Sequence, residues 1–139
     1  MYHPWRRLRA LVELNLLWVD TDAYMGRIDY CTSEIRLAIG MTQAERRCTL
    51  AHELVHHERG PCAPGDEERE ERIVDREAAR RLIDIRKLGE TLAWSRSCDE
   101  AADELWVDVP TLVARMKGLH PAERHYLHER LAHLREGHA

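Results

Sequence analysis

The pentapeptide His52-Glu53-Leu54-Val55-His56 constrains this chain more than any other stretch. Two histidines four residues apart act together only if the backbone between them is helical. They then lie about 40° apart around the axis and one turn along it, so both imidazoles reach one point in space. The flanking residues agree. Thr42 and Glu45 have the spacing of a capping box, which starts a helix there. Ala44, Cys48, Ala51 and Val55 recur at steps of four and three and form one apolar stripe. Gly60-Pro61 stops the helix.

This pattern points to a metal. Zinc takes imidazole nitrogens at about 2.0–2.1 Å, and a catalytic ion keeps one position open for water. His52 and His56 are the ligand candidates. Glu53 is placed to take a proton from that water. A helix over residues 67–85 follows, with Val74, Ala78, Leu82 and Ile85 marking its buried face. Its acidic residues Glu70, Glu71, Asp75 and Glu77 are candidates for a third ligand. Glu71 and Asp75 fall within the apolar face, whereas Glu77 lies at its edge or outside. A charge in an apolar face is costly unless it is paired or bound to metal. Glu71 is therefore the expected ligand, with Asp75 behind it as partner to a ligand histidine. Asp75 and then Glu77 are the alternatives, and the competing view is a run of ordinary solvated charges.

The other segments predict an α+β domain, a short antiparallel or mixed sheet packed on the metal helix and a mostly helical C-terminal half. A short helix is expected over residues 4–11, strands over 13–19, 28–31 and 34–39, and a turn near Thr32-Ser33. In the last strand Ile35, Leu37 and Ile39 should be buried, with Arg36 and Ala38 on the open face. That strand precedes the metal helix by only Gly40 and Met41, so it is the expected edge for pairing with a substrate backbone. Asp99, Asp108 before Pro110, and His120-Pro121 open further helices. The 139 residues suit one domain, with 1–86 as catalytic core and 87–139 as a helical part.

Composition narrows the function. Hydrophobic residues at 44% and charged residues at 33% match a soluble globular protein. The longest apolar runs, such as Leu16 to Val19, are too short to span a bilayer. No signal-peptide pattern is read in the first ten residues, and four scattered cysteines without a CxxC pair suit free thiols, so a cytoplasmic location is expected. With a net charge of -4, direct nucleic-acid binding is not expected. Residues 99–119 have a helix-turn-helix pattern, but Asp99, Glu100, Asp103, Glu104 and Asp108 make it acidic, which suits packing or partner docking better than DNA. His125, His128, His133 and His138 form no tight ligand set, and Leu127, Leu131 and Leu134 account for their helix as amphipathic. His57 and Cys62 are read as a surface and a loop residue near the site.

Thr49 to His56 resembles the HExxH helix of the ImmA/IrrE-type metallopeptidases, small cytoplasmic enzymes of bacteria, prophages and phages. Their second helix typically reads Glu-x-x-Ala-Asn/Asp-x-Phe-Ala-Ala, then Leu and a further apolar residue. Glu71, Val74, Asp75, Ala78, Ala79, Leu82 and Ile83 stand in those places, with Glu77 where the family has Phe and Asp84 where it often has Pro. Leu105 to Met116 resembles the family's C-terminal part, and the similarity covers roughly residues 14–119. The resemblance implies a small zincin-like fold and a zinc endopeptidase with Glu71 as third ligand. It also implies a protein substrate, a helix-turn-helix repressor cut to relieve repression or immunity. The alternative is a metal-containing protein that docks a repressor without cutting it. Glu53 favours hydrolysis, because a structural zinc needs no free carboxylate beside an open position.

Overall fold

The computed structural model describes residues 1–136, with side chains described through Ala132. Pro4 opens α1 (Pro4–Ala10) in its first turn, where a missing N–H costs nothing. Three strands follow: β1 (Asn15–Val19), β2 (Gly26–Asp29) and β3 (Glu34–Ala38). They form a mixed sheet in the order β1-β3-β2, with β3 parallel to β1 and antiparallel to β2. The expected edge strand is therefore the central one. Ile35 and Leu37, on one face of this strand, are fully buried, and β1 and β2 flank it on either side. The alternation ends sooner than expected: Ala38 is buried and Ile39, past the strand, is exposed. β2 begins two residues earlier than the residues 28–31 expected, and the turn into β3 places Ser33 at φ 54°.

The helix α2 (Gln43–Arg59) has the capping box in full. The Thr42 hydroxyl accepts from Glu45 N–H at 3.1 Å, and the Glu45 carboxylate accepts from Thr42 N–H at 2.9 Å. Gly60, at φ 78°, ends it in a conformation that favours glycine. Two cores meet on α2. Cys48, Ala51 and Val55 pack with Val74, Ala78 and Leu82 in the helical layer. Leu50 and Leu54 pack with Ile35, Leu37 and Met41 against the sheet. The single stripe expected from periodicity is one of two buried faces.

α3 (Glu67–Leu82) stops earlier than the residues 67–85 expected. Ile83 is extended, and Asp84 caps a separate α4 (Ile85–Trp94) by accepting from Arg86 and Lys87 N–H. Ile85 is thus the first residue of α4 and only half-buried. Ser97, not Asp99, caps α5 (Cys98–Leu105). Asp108 caps α6 (Val109–Lys117), and α7 (Pro121–Glu136) closes the described chain. α6 packs on α3, with Leu112 and Arg115 buried, so the helix-turn-helix pattern is a packing unit at least on that face. No helix among the described residues is long and apolar enough to cross a membrane.

Candidate metal centre

α2 presents His52 and His56 one turn apart, and α3 lies against it through Val74 and Ala78. This brings Glu71 opposite both rings. Glu71 Oε2 is 2.9 Å from His52 Nε2, and Glu71 Oε1 is 2.6 Å from His56 Nε2. Asp75, one turn along α3, lies 2.9 Å from His52 Nδ1. His52 is therefore gripped from both ring nitrogens. One ligand atom from each of His52, His56 and Glu71 falls within 4.8 Å of the others, and among the described residues this is the one such group of three or more. Ligands at about 2.0–2.1 Å from a tetrahedral ion stand about 3.3 Å apart, so two imidazoles and one carboxylate at these separations suit zinc after a small spreading.

Glu71 and Asp75 are not buried as the helical wheel implied. Their side chains are about half exposed, because Val74 and Ala78 fill the contact with α2 and the carboxylates stand at its rim. Their place at the mouth of the site is what makes them available to an ion. The other acidic candidates are engaged elsewhere. Glu77 binds Arg80 and Arg81, and these hydrogen bonds hold its carboxyl down to about 2. Glu70 pairs with Arg59.

Glu53 is 5% exposed, and burial pushes its carboxyl up to about 7. Burial lowers the His52 imidazole, but Asp75 and the charges of Glu53 and Glu71 outweigh it and leave it raised. His56 is lowered, by burial and then by the charge of His52.

Two clefts flank the histidines, and Gly26 and Glu53 line both. The cleft beside His52 has about 360 Å³ and is walled by small side chains, among them Ala78, Ala79 and Ala114. The cleft beside His56 has about 270 Å³ and is charged, with Arg27, Glu67 and Glu70 in its wall. Cys62 lines this second cleft, whereas His57 turns toward Glu13 at 3.3 Å and lies in neither. Cys48 lines the first, but burial pushes its thiol up to about 11, so it is a packing residue.

Gly26, Arg27 and Tyr30 were not singled out by the sequence. A Cβ at Gly26 would run into the Thr49 side chain and press on that of Glu53 at 3.3 Å. Tyr30 Oη donates to the His56 carbonyl at 3.1 Å, steadying the end of α2. A lone glycine opening a short strand and a tyrosine just after it carry no motif, and only the closeness of β2 to α2 reveals them. His125 and His128 are exposed on α7, while the side chain of His133 and all of His138 lie outside the described residues. Compared with known families, curated proteins and solved structures, the chain matches none.

Proposed function

We propose that this chain is a cytoplasmic zinc-dependent endopeptidase of small zincin-like fold, acting on a protein substrate that is a helix-turn-helix repressor. The observation that carries the reading is the convergence of His52 and His56 on Glu71, with Glu53 buried next to them in sequence. A set of two nitrogens and one carboxylate leaves a tetrahedral ion one free position, the arrangement of hydrolytic zinc. When bound, zinc would supply a Lewis acid that acidifies a water and polarises a carbonyl.

The rest falls to the chain's own residues. His52, His56 and Glu71 hold the ion, and Asp75 orients His52. Glu53 takes the proton of the attacking water and passes it to the leaving amine. Its burial disfavours the charged form, so it gains by accepting that proton. The clefts on either side of Glu53 and Gly26 favour an extended substrate lying across both rather than a small molecule held in one pocket. The repressor as substrate rests on the family resemblance of residues 49–56 and 71–83.

Co-expression with a candidate helix-turn-helix repressor tests this, using wild type and Glu53→Gln. The wild type should cleave it. The variant should keep its zinc and its fold and lose about 10²–10⁴-fold in rate. Cleavage by Glu53→Gln at the wild-type rate would exclude the mechanism. Relief of repression by a variant that cuts nothing would make docking the function.

A further inference from the structure

Another depression, of about 400 Å³, shares no residue with the metal centre or its two clefts. It is walled by the start of α1, the end of β1, the first turns of α2 and the αL residue that caps α5. Four arginines line it: Arg6, Arg9, Arg46 and Arg47. Among the described residues none of the four pairs with a carboxylate. In a chain of net charge -4 this is a concentration of unspent positive charge. The Nε of Arg46 is buried with no partner, though its Nη2 donates to the Ile39 carbonyl at 3.0 Å.

Three of the chain's four tryptophans face the same space. Trp5 stacks on Trp18 with centroids 6.0 Å apart, and the Arg46 guanidinium lies 5.2 Å from the Trp18 ring. Trp106 is 54% exposed and sits at φ 59°, a backbone region that bulky residues avoid. Buried Arg47 fixes it there. Its Nη1 donates to the Trp106 carbonyl at 2.8 Å and its guanidinium lies 5.5 Å from the ring. A strained backbone and an exposed indole are both unfavourable, and with Arg47 over one face of the ring the exposed remainder of the indole borders the depression.

Guanidinium groups recognise phosphate, and an indole face stacks on a planar base. The volume lies near the lower end of small-molecule sites and gives room for one ring and one phosphate. We propose that this depression binds a free mononucleotide, with its phosphate against Arg6, Arg9 and Arg46 and its base against Trp106. An acidic peptide would use the arginines but leave the indoles idle.

Three tryptophans in one wall make intrinsic fluorescence the readout. The full chain is titrated with adenosine monophosphate, inorganic phosphate, a thymidine hexanucleotide and hexaglutamate. Saturable quenching by the mononucleotide is expected, about tenfold or more tighter than phosphate because only it stacks. Arg6→Gln with Arg9→Gln, both exposed, should weaken it about tenfold or more, the loss of two charge-assisted contacts. Trp106→Gly, which suits the left-handed backbone, should bind phosphate as the wild type does and lose the preference for the base. Equal binding of phosphate and mononucleotide by the wild type would overturn the proposal. So would tighter binding of hexaglutamate or of the hexanucleotide, which would make the depression a peptide or strand groove. Unchanged affinity in the double arginine variant would overturn it as well.

Discussion

Asp75 Oδ1 lies 2.9 Å from His52 Nδ1, while Nε2 of the same ring faces Glu71 at 2.9 Å. A carboxylate behind a ligand imidazole fixes its tautomer, so that Nδ1 carries the proton and Nε2 offers its lone pair. Asp75→Asn keeps the size of the side chain but not its charge. Zinc affinity should fall about 10–100-fold with the melting temperature of the metal-free protein unchanged. Competition with a chromophoric chelator measures this. An unaltered affinity would reduce Asp75 to a surface charge, and complete loss of zinc with Glu71→Gln still binding would make Asp75 the ligand.

Acid should destabilise the fold through Glu77 and Glu58. Hydrogen bonds from Arg80 and Arg81 hold the Glu77 carboxyl down to about 2, against an ordinary 4.5, and Arg81 lowers Glu58 too. A carboxyl with a depressed folded value stabilises the fold above its unfolded value and loses that contribution as pH falls through the folded one. The wild-type melting temperature should therefore drop between about pH 4.5 and 2. Glu77→Gln should melt lower than wild type at pH 6, and the two curves should converge toward pH 2. Parallel curves over that range would show that the Arg80–Glu77–Arg81 cluster contributes nothing.

The helix that carries His52 and His56, and the meeting of both with Glu71, were legible because their signals are local. Thr42 and Glu45 are three residues apart, His52 and His56 four, and Glu71 and Asp75 four, so one helix period carries each. Strand order is not local. β3 has the alternation of a strand with one buried face, and β2 reaches it through a short turn, but whether β1 also pairs with it depends on contacts across 19 residues, as between Asn15 and Glu34. The stop at Leu82 was readable in principle, since Asp84 is a good N-cap, but the continuing apolar pattern through Ile85 concealed it. Arg47 and Trp106 are 59 residues apart, and no spacing rule joins them.

At Gly26 the sheet comes close to Glu53, the proposed general base. Gly26→Ala adds a methyl group against Thr49 and Glu53. The Glu53 side chain should shift by a fraction of an ångström, enough to lower kcat by about 10- to 100-fold. Zinc content should stay at the wild-type level, because His52 and His56 are not in the contact. A variant with full zinc and full kcat would show that Glu53 has room to move without consequence.

Of the two edge strands, β1 and β2, it is β2 that borders the clefts beside His52 and His56, so a substrate strand is expected to pair there and not with β3. Ala38 N–H donates to the Met25 carbonyl at 2.9 Å, which makes Met25 and Ala38 a hydrogen-bonded pair. In an antiparallel ladder such pairs alternate. Arg27 with Arg36 and Asp29 with Glu34 then use their backbone groups inward, and the N–H and C=O of Gly26 and Ile28 point away from β3. Gly26 also lines both clefts beside the metal centre. An extended peptide pairing there would cross from the small-walled cleft to the charged one and pass Glu53 on the way. The test alters the substrate, so folding of the enzyme is not at issue. A peptide spanning the cleaved bond is made in versions each N-methylated at one position. Loss of one net hydrogen bond is worth about 0.5–1.5 kcal/mol, or about 2- to 13-fold in kcat/KM. The losses should fall on two positions separated by one unaffected residue, because a strand presents alternate backbone groups to its neighbour. Uniform losses at every position, or none, would mean that the substrate is held by its side chains and that the edge of β2 is not its binding strand.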